Sequence, residues 1–323
     1  MLEPQTSAAP RATSGPLLSV VLTVVDGGET LRRCLDALLS QARAPAMEIL
    51  IPYDASIAPV RSIVDDAARR AGPVTVRGVD LGRIDTEREA RPDAAQHERF
   101  DRRRAAGLAV ARGDLIAIVE DRSVPRPDWA ATACRVHEQH PNLAIGGAIE
   151  NGRDHALNWA VYLCDFGRYQ RPFAPGPRSQ VSDVNVVYKR RAIEQTREIW
   201  KERFHEPLVH WALERSGESL FASPDLIVDQ MRDNLSLGSL LRERVAWGRL
   251  FGTLRAREAS PARRAVLVLA SPLAPGLLFA RIVRDQVAKG GSLARLAKVS
   301  PAVIVLLTAW VAGEVVGTLT GRT

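Results

Sequence analysis

Five consecutive apolar residues, Leu115-Ile116-Ala117-Ile118-Val119, stand between a glycine and an acidic pair, and this run constrains the fold more than any other. A strand that is apolar on both faces must be covered on both faces, as in a parallel sheet between two layers of helices. The residues before it, from Arg104, read as a helix with Ala105, Leu108, Ala109 and the stem of Arg112 at helical spacing. Gly113-Asp114 is expected to stop that helix, the glycine taking the left-handed cap. Beyond the run the chain turns acidic with Glu120-Asp121, followed by Arg122 and a proline-marked turn. In open α/β sheets the carboxyl ends of the strands form the ligand-binding edge. A site is expected there.

The rest of the first half repeats the same alternation. Leu18 to Val25 is β-rich and ends on Asp26-Gly27-Gly28, a strand and a tight turn. Thr30 is expected to cap the helix that follows, with Leu31, Leu35, Leu38 and Leu39 as its apolar stripe. Met47 to Tyr53 is a second strand, closing on Asp54-Ala55-Ser56. Pro59 opens a helix with Val60, Ile63, Val64 and Ala67 on one side, and Gly72 ends it. Val74 to Val79 is a third strand, and the alternation argues a layered, mostly parallel sheet. Residues 80–99 are charged, contain Pro92 and show no apolar face, so they read as a mobile surface loop. Trp129 to His140 is helical and Asn142 to Glu150 a strand, where Gly146-Gly147 would let a ligand or another backbone come close. Asn158 to Tyr169 is an amphipathic helix, 171–180 a proline-rich loop and Val184 to Tyr188 a strand. Glu206 opens a helix running to Gly217, and Leu235 to Leu254 is a longer one with Leu237, Leu240, Leu241, Arg244, Gly248 and Phe251 on one face.

The chain has 323 residues, is 46% apolar and carries a net charge of +7. That charge invites a nucleic-acid reading, which the distribution opposes. Only four of the 44 basic residues are lysine, the arginines are scattered among alanines, and aromatics for base stacking are 5%. No nucleic-acid partner is expected; a basic surface beside apolar segments suits an anionic membrane surface better. Cys34, Cys134 and Cys164 lack metal-ligand spacing and read as buried hydrophobes. Residues 1–15, rich in Ala, Pro, Ser and Thr without an apolar core, are expected to be disordered and not a signal peptide. Ala265 to Ala280 and Pro301 to Leu319 are apolar, but the first is short for a span and the second marginal. A spanning hairpin would translocate Arg281, Arg284, Lys289, Arg295 and Lys298, against the positive-inside bias. Helices lying in the interface are therefore favoured, with a spanning hairpin or a soluble helical cap as the alternatives.

Several segments, in order, resemble a family 2 glycosyltransferase. SVVLTVVDGGETLRRCLDALLSQ is similar to that family's first strand and helix, and EILIPYDAS to its second strand. RRRAAGLAVARGD resembles the helix written A-R-N-x-G-L-x-x-A-x-G-D, and IAIVEDRSVPRPDW falls where the family has its D-x-D signature. SDVNVVYKR resembles the acceptor-side G-x-N-x-x-x-R-R segment. The likeness runs roughly from Pro16 to Arg249. It implies an α/β fold, a single nucleotide-diphospho-sugar transferase-like domain of A type over 16–256, with apolar membrane-associated helices over 257–323. The implied activity is inverting sugar transfer from a nucleotide-sugar donor to a glycan or lipid-linked acceptor, at the cytoplasmic face of the cell membrane.

Carried over by position, the resemblance implies that Val24, Asp26, Glu29 and Asp54 line the nucleotide pocket, with Arg104, Glu120 and Asp121 completing the donor site. Glu206 falls on the general base, which must take the acceptor hydroxyl's proton, and His205 stands in the place of the glutamate before it. Asn185, Arg244 and Trp247 fall on the acceptor side. His155, His205 and His210 otherwise read as structural or surface residues. The departures concern the metal. The second aspartate of D-x-D, which holds Mg2+ or Mn2+ in the family, is here Arg122, leaving Glu120 and Asp121 as the metal-ligand candidates. A guanidinium there could itself stabilise the leaving diphosphate, making Arg122 catalytic and the enzyme metal-independent. Tyr53 replaces the aspartate before Asp54, and Ala105 the asparagine after Arg104. Two alternatives stay open: transfer to a polyprenyl phosphate, which needs no base, and a degenerate homologue that binds nucleotide without turnover.

Overall fold

The computed structural model describes residues 15–57, 59–86 and 92–321. The expected disordered segment 1–15 thus lies, but for Gly15, outside the described residues. β1 (Leu18–Thr23), α1 (Gly28–Leu39), β2 (Met47–Tyr53), α2 (Val60–Arg70) and β3 (Thr75–Asp80) alternate as the periodicity predicts. Next come α3 (Pro92–Val110), β4 (Leu115–Glu120), β5 (Ser123–Pro125), α4 (Trp129–Gln139), β6 (Ala144–Asn151) and α5 (Ala156–Asp165). β7 (Gly176–Arg178), β8 (Asn185–Lys189), α6 (Arg190–Gln195), α7 (Arg197–Trp200), α8 (Glu206–Arg215) and β9 (Leu220–Gln230) follow. Four helices come last: α9 (Leu237–Arg257), α10 (Pro261–Ala270), α11 (Ala274–Ala288) and α12 (Leu293–Thr320).

The nine strands form one sheet in the order β3-β2-β1-β4-β8-β6-β9-β5, with β7 against β9. β5, β7 and β8 run against the other six strands, so the sheet is mixed with one dominant direction. Strand period two divides the core between the layers. Val20, Leu22, Ala117 and Val119 face α1, α2, α4 and α12, while Val21, Ile116 and Ile118 face α3 and α8. β1 and β4 pair in register from Leu18↔Leu115 to Thr23↔Glu120, so the loops leaving their carboxyl ends emerge side by side. That register places the candidate site.

Local chemistry corrects several expectations. Residues 92–99 belong to α3, not to a loop, and Glu98 is wholly buried, with Arg102 and Arg203 each donating to its Oε1. The charge pattern misled because those charges are neutralised by partners distant in sequence; 87–91 lie outside the described residues. Of the expected helix face, Ala105 and Leu108 are buried and Ala109 is exposed, as is Arg112 just beyond α3; Phe100, Arg103, Arg104 and Gly107 complete the inner face. Gly113 is not a left-handed cap. It is a close approach, since a Cβ there would stand 2.5 Å from the Ser19 nitrogen. Thr30 lies buried inside α1 and caps nothing; Gly27 holds the N-cap position. β9 is absent from the sequence reading because Pro224-Asp225 interrupts its pattern, and the ladder to β6 shifts register there. Gly147 has the close neighbours expected of it, with a Cβ there 2.1 Å from the Leu226 carbonyl.

His137 supplies a pH test of the core. Its Nε2 is 2.9 Å from the Val187 carbonyl, and burial pulls its pKa down to about 4. An unfolded histidine titrates near about 6.5. Between those values the unfolded chain binds a proton that the native state refuses, so stability falls as pH drops from about 6.5 to about 4, by about 3 kcal/mol in all. Denaturant titrations at stepped pH should show this slope in the native chain, and His137→Gln should flatten it.

Candidate functional site

The site is built from the loops that follow β1, β2 and β4. Gly27 and Gly28 have φ of +69° and +51°, conformations that glycine adopts freely. They curl the β1–α1 loop so that its amides converge on Asp121. Val25 N donates to Oδ1 at 3.0 Å, and Asp26 N and Gly27 N donate to Oδ2 at 3.1 and 2.7 Å. Asp121 has no exposed surface; burial first, then the Asp26 carboxylate, raise its pKa to about 7. Beside it Arg122 grips Asp26 with a two-pronged contact, Nε to Oδ2 at 2.7 Å and Nη2 to Oδ1 at 2.6 Å. This planar fork is a geometry lysine cannot reproduce.

Two consecutive arginines on the inner face of α3 tie the rim together. Arg103 Nε donates to Asp54 Oδ2 at 2.7 Å, Nη1 to the Val24 carbonyl at 2.7 Å and Nη2 to Ser56 Oγ at 2.9 Å. The other oxygen of Asp54 accepts from Ser56 N at 2.7 Å. Burial alone would raise Asp54, but Ser56 and Arg103 hold it below the ordinary carboxylate range. Arg104 turns the other way. Its Nη2 lies 2.8 Å from Glu120 Oε1 and 3.0 Å from Asp183 Oδ2, and its Nη1 3.6 Å from Asp101 Oδ1. Both arginines are 1% exposed.

Glu206 joins this second half. It opens α8, with Pro207 behind it in the first turn, and its Oε2 accepts from Asp183 N at 2.9 Å. His210, one helical turn on and fully buried, places Nδ1 3.3 Å from Glu206 Oε1 and Nε2 2.8 Å from the Tyr188 hydroxyl. Burial opposes ionisation of both cleft carboxyls. Asp183 is pushed well up, whereas His210 and the Asp183 amide hold Glu206 below its ordinary value. Splitting two neighbouring carboxyls in this way is how a site separates a proton holder from a proton acceptor. Glu120, Asp183 and Glu206 keep 12%, 17% and 18% of their side chains exposed, so the cleft is open to a ligand.

The remaining candidates stand elsewhere. Glu29 is exposed, 3.9 Å from Arg32 on the outer side of α1. Asn185 is wholly internal: its Oδ1 accepts from Trp129 Nε1, and its Nδ2 donates to the Ala148 and Leu226 carbonyls, each at 2.9 Å. It stitches α4, β6 and β9 and offers nothing to an acceptor. Arg244 is buried in an ion pair with Asp165, over the Trp310 ring, and Trp247 stacks 4.0 Å from the His97 ring. Val24 is buried and contributes its carbonyl to Arg103. Sequence pattern gives Arg103, Asp183 and Asp101 no role and takes His210 for a structural or surface residue. The helical stripe Phe100, Arg103, Arg104, Gly107, Leu108 would have singled out Arg103; nothing local marks Asp183.

A divalent cation at the altered signature would need a carboxylate with lone pairs facing the cleft. Both oxygens of Asp121 are taken by backbone amides, and Arg122 brings a positive charge to the neighbouring position. Among the described residues no group of three or more His, Cys, Asp or Glu is placed to hold a metal. Asp121 and Arg122 therefore do not fit a metal ion, and Glu120, 12% exposed, is the carboxylate of this signature left facing the cleft.

No protein-family model matches the chain, and no curated protein does. Among solved structures, it is similar to the mannosyltransferase PcManGT from Pyrobaculum calidifontis in complex with GDP-Man and Mn2+. The TM-score is 0.57 at 16% identity, covering 99% of this chain and 92% of that one. TarS of S. aureus, residues 1–349, aligns over 73% of this chain and 64% of its own, at 10% identity and a TM-score of 0.45. The first likeness shows a shared fold, a mixed α/β sheet architecture, here followed by two long apolar C-terminal helical segments.

Proposed function

We propose that the chain is an inverting, family 2 type glycosyltransferase, moving a sugar from a nucleotide diphosphate to an acceptor hydroxyl in envelope polysaccharide or glycolipid assembly at the cytoplasmic membrane face. One observation carries the reading. Asp54, Glu120, Asp121 and Glu206, remote in sequence, meet along one rim at the carboxyl ends of β1, β2 and β4, joined by Arg103 and Arg104. The shared fold with a mannosyltransferase bound to GDP-Man supports a nucleotide-sugar donor. Residues 16–256 would form the catalytic unit and 257–323 its membrane-associated part.

The chemistry follows from the two halves of the rim. The β1–α1 loop, Asp54 and Arg103 take the nucleotide, and Glu120 and Arg104 face the ribose and diphosphate. Glu206 accepts the proton of the acceptor hydroxyl as its oxygen bonds to the anomeric carbon from the opposite face. The bond from that carbon to the diphosphate oxygen breaks, and the nucleoside diphosphate leaves with the electron pair. Arg122 exchanges Asp26 for the developing phosphate charge, its guanidinium remaining protonated throughout. A screen of nucleotide sugars with purified protein and membrane-extracted acceptor tests the activity. Turnover should persist in excess EDTA and fall with Arg122→Gln; strict Mg2+ or Mn2+ dependence would overturn the role given to Arg122.

A further inference from the structure

Hydropathy marks two segments, Pro261–Ala288 and Leu293–Thr320, as long and apolar enough to cross a bilayer. The packing says otherwise. α12 is fastened to the globular part along its length. Near its start the Arg295 guanidinium stands 4.0 Å from the centre of the Trp159 ring on α5, and Leu296, Val299, Val303 and Leu306 join the same apolar cluster as β1. Near its end α12 runs parallel to α9 at backbone contact. Any Cβ would collide: Gly248 with the Trp310 carbonyl at 2.1 Å, Gly313 with that of Val245 at 2.2 Å, and Gly317 with that of Arg249 at 2.1 Å. α9 bears Arg242, Glu243, Arg244, Arg249, Arg255 and Arg257. A spanning α12 would drag these charges into the hydrocarbon layer, where each is costly.

The first segment is different. None of the apolar stretch of α10–α11 is buried, and Val266, Leu269, Leu273 and Leu277 are 63%, 81%, 69% and 69% exposed. Its uncharged part, 265–280, is 16 residues, about 24 Å of helix against a hydrocarbon core of about 30 Å. Its far end returns to the globular part, where Gln286 Nε2 donates to Gln170 Oε1 and Lys289 Nζ to the Gly167 carbonyl, both at 2.8 Å. Arg263 and Arg264 precede the apolar part, and Arg281 and Arg284 follow it, accompanied by the single acid Asp285.

We propose that this protein is monotopic: α10–α11 lies in the headgroup layer of an anionic bilayer without crossing it, while α12, packed by one face on the globular unit with Ile304, Val305 and Leu319 exposed on the other, does not span. Apolar side chains enter the acyl boundary, and the four arginines meet lipid phosphates, the charge complement that an interfacial helix requires. The inference rests on the membrane placement above and narrows its seat from 257–323 to α10–α11, and nucleotide binding by calorimetry tests the transferase reading separately.

The full chain should float with phosphatidylcholine vesicles containing phosphatidylglycerol and far less with phosphatidylcholine alone. Leu269→Glu with Leu273→Glu should weaken flotation by about tenfold or more, leaving nucleotide affinity unchanged. In sealed inverted membrane vesicles, whose outer face carries the globular unit, Ala288→Cys should react with an impermeant maleimide. Protection of that thiol means a spanning hairpin and overturns the proposal. Flotation that ignores the two glutamates overturns it too, as does a soluble dimer without flotation, which would make a second copy the occupant of this face.

Discussion

Glu206→Gln is expected to cut turnover by about 10²–10⁴-fold while leaving nucleotide binding unchanged. Glutamine keeps an oxygen for the Asp183 amide and so preserves the local geometry, but it cannot take a proton at neutral pH. The loss should therefore fall on kcat with little change in donor KM. Retained turnover would mean that the acceptor arrives already ionised, as a lipid phosphate does. His210→Phe should shift the pH profile without abolishing activity, since the imidazole stands behind the carboxylate, 3.3 Å from Oε1, and is fully buried.

Arg103→Leu should destabilise the fold by about 3–5 kcal/mol, the cost of leaving a buried charge without its partner. Asp54 is 2% exposed and receives both Arg103 and Ser56, and the same guanidinium holds the Val24 carbonyl at the end of β1. Removing the guanidinium strands three acceptors together. Chemical denaturation would read the loss as a lowered midpoint. The double variant Arg103→Leu with Asp54→Leu should recover much of it, because removing both charges leaves no uncompensated ion. If the double variant regains stability yet no longer binds nucleotide, the pair serves both the scaffold and the donor site. Additive losses in the cycle would instead show that the two side chains act independently.

Much of this was legible in residue order. The run Leu115–Val119, apolar at every position, announced a strand covered on both sides, and Glu120-Asp121 directly after it marked the edge where the candidate carboxylates lie. Val60, Ile63, Val64 and Ala67 are buried as their spacing predicts, with Gly72 at φ +55° beyond the helix. Failures cluster where a residue's partner is far along the chain. Glu98 and Arg103 carry the signs of solvated surface and are sealed inside, because Arg203 and Asp54 meet them across the fold. Asn185, on a motif that suggests acceptor contact, is consumed by Trp129, Ala148 and Leu226. β9 needed a neighbour to exist as a strand, since its own pattern breaks at Pro224.

Residue order alone settled the alternation of strands and helices and the acidic pair that closes β4. These depend on local periodicity and on turns closed by neighbouring residues, which a short stretch of chain contains entire. Tertiary structure alone decided that Arg103 and Arg104 point to opposite halves of the rim, that Asp183 joins Glu206, and that α12 packs inward through glycines while α10–α11 stays uncovered. Each of those facts rests on contacts between segments that only the folded sheet and its helices bring within a few ångströms.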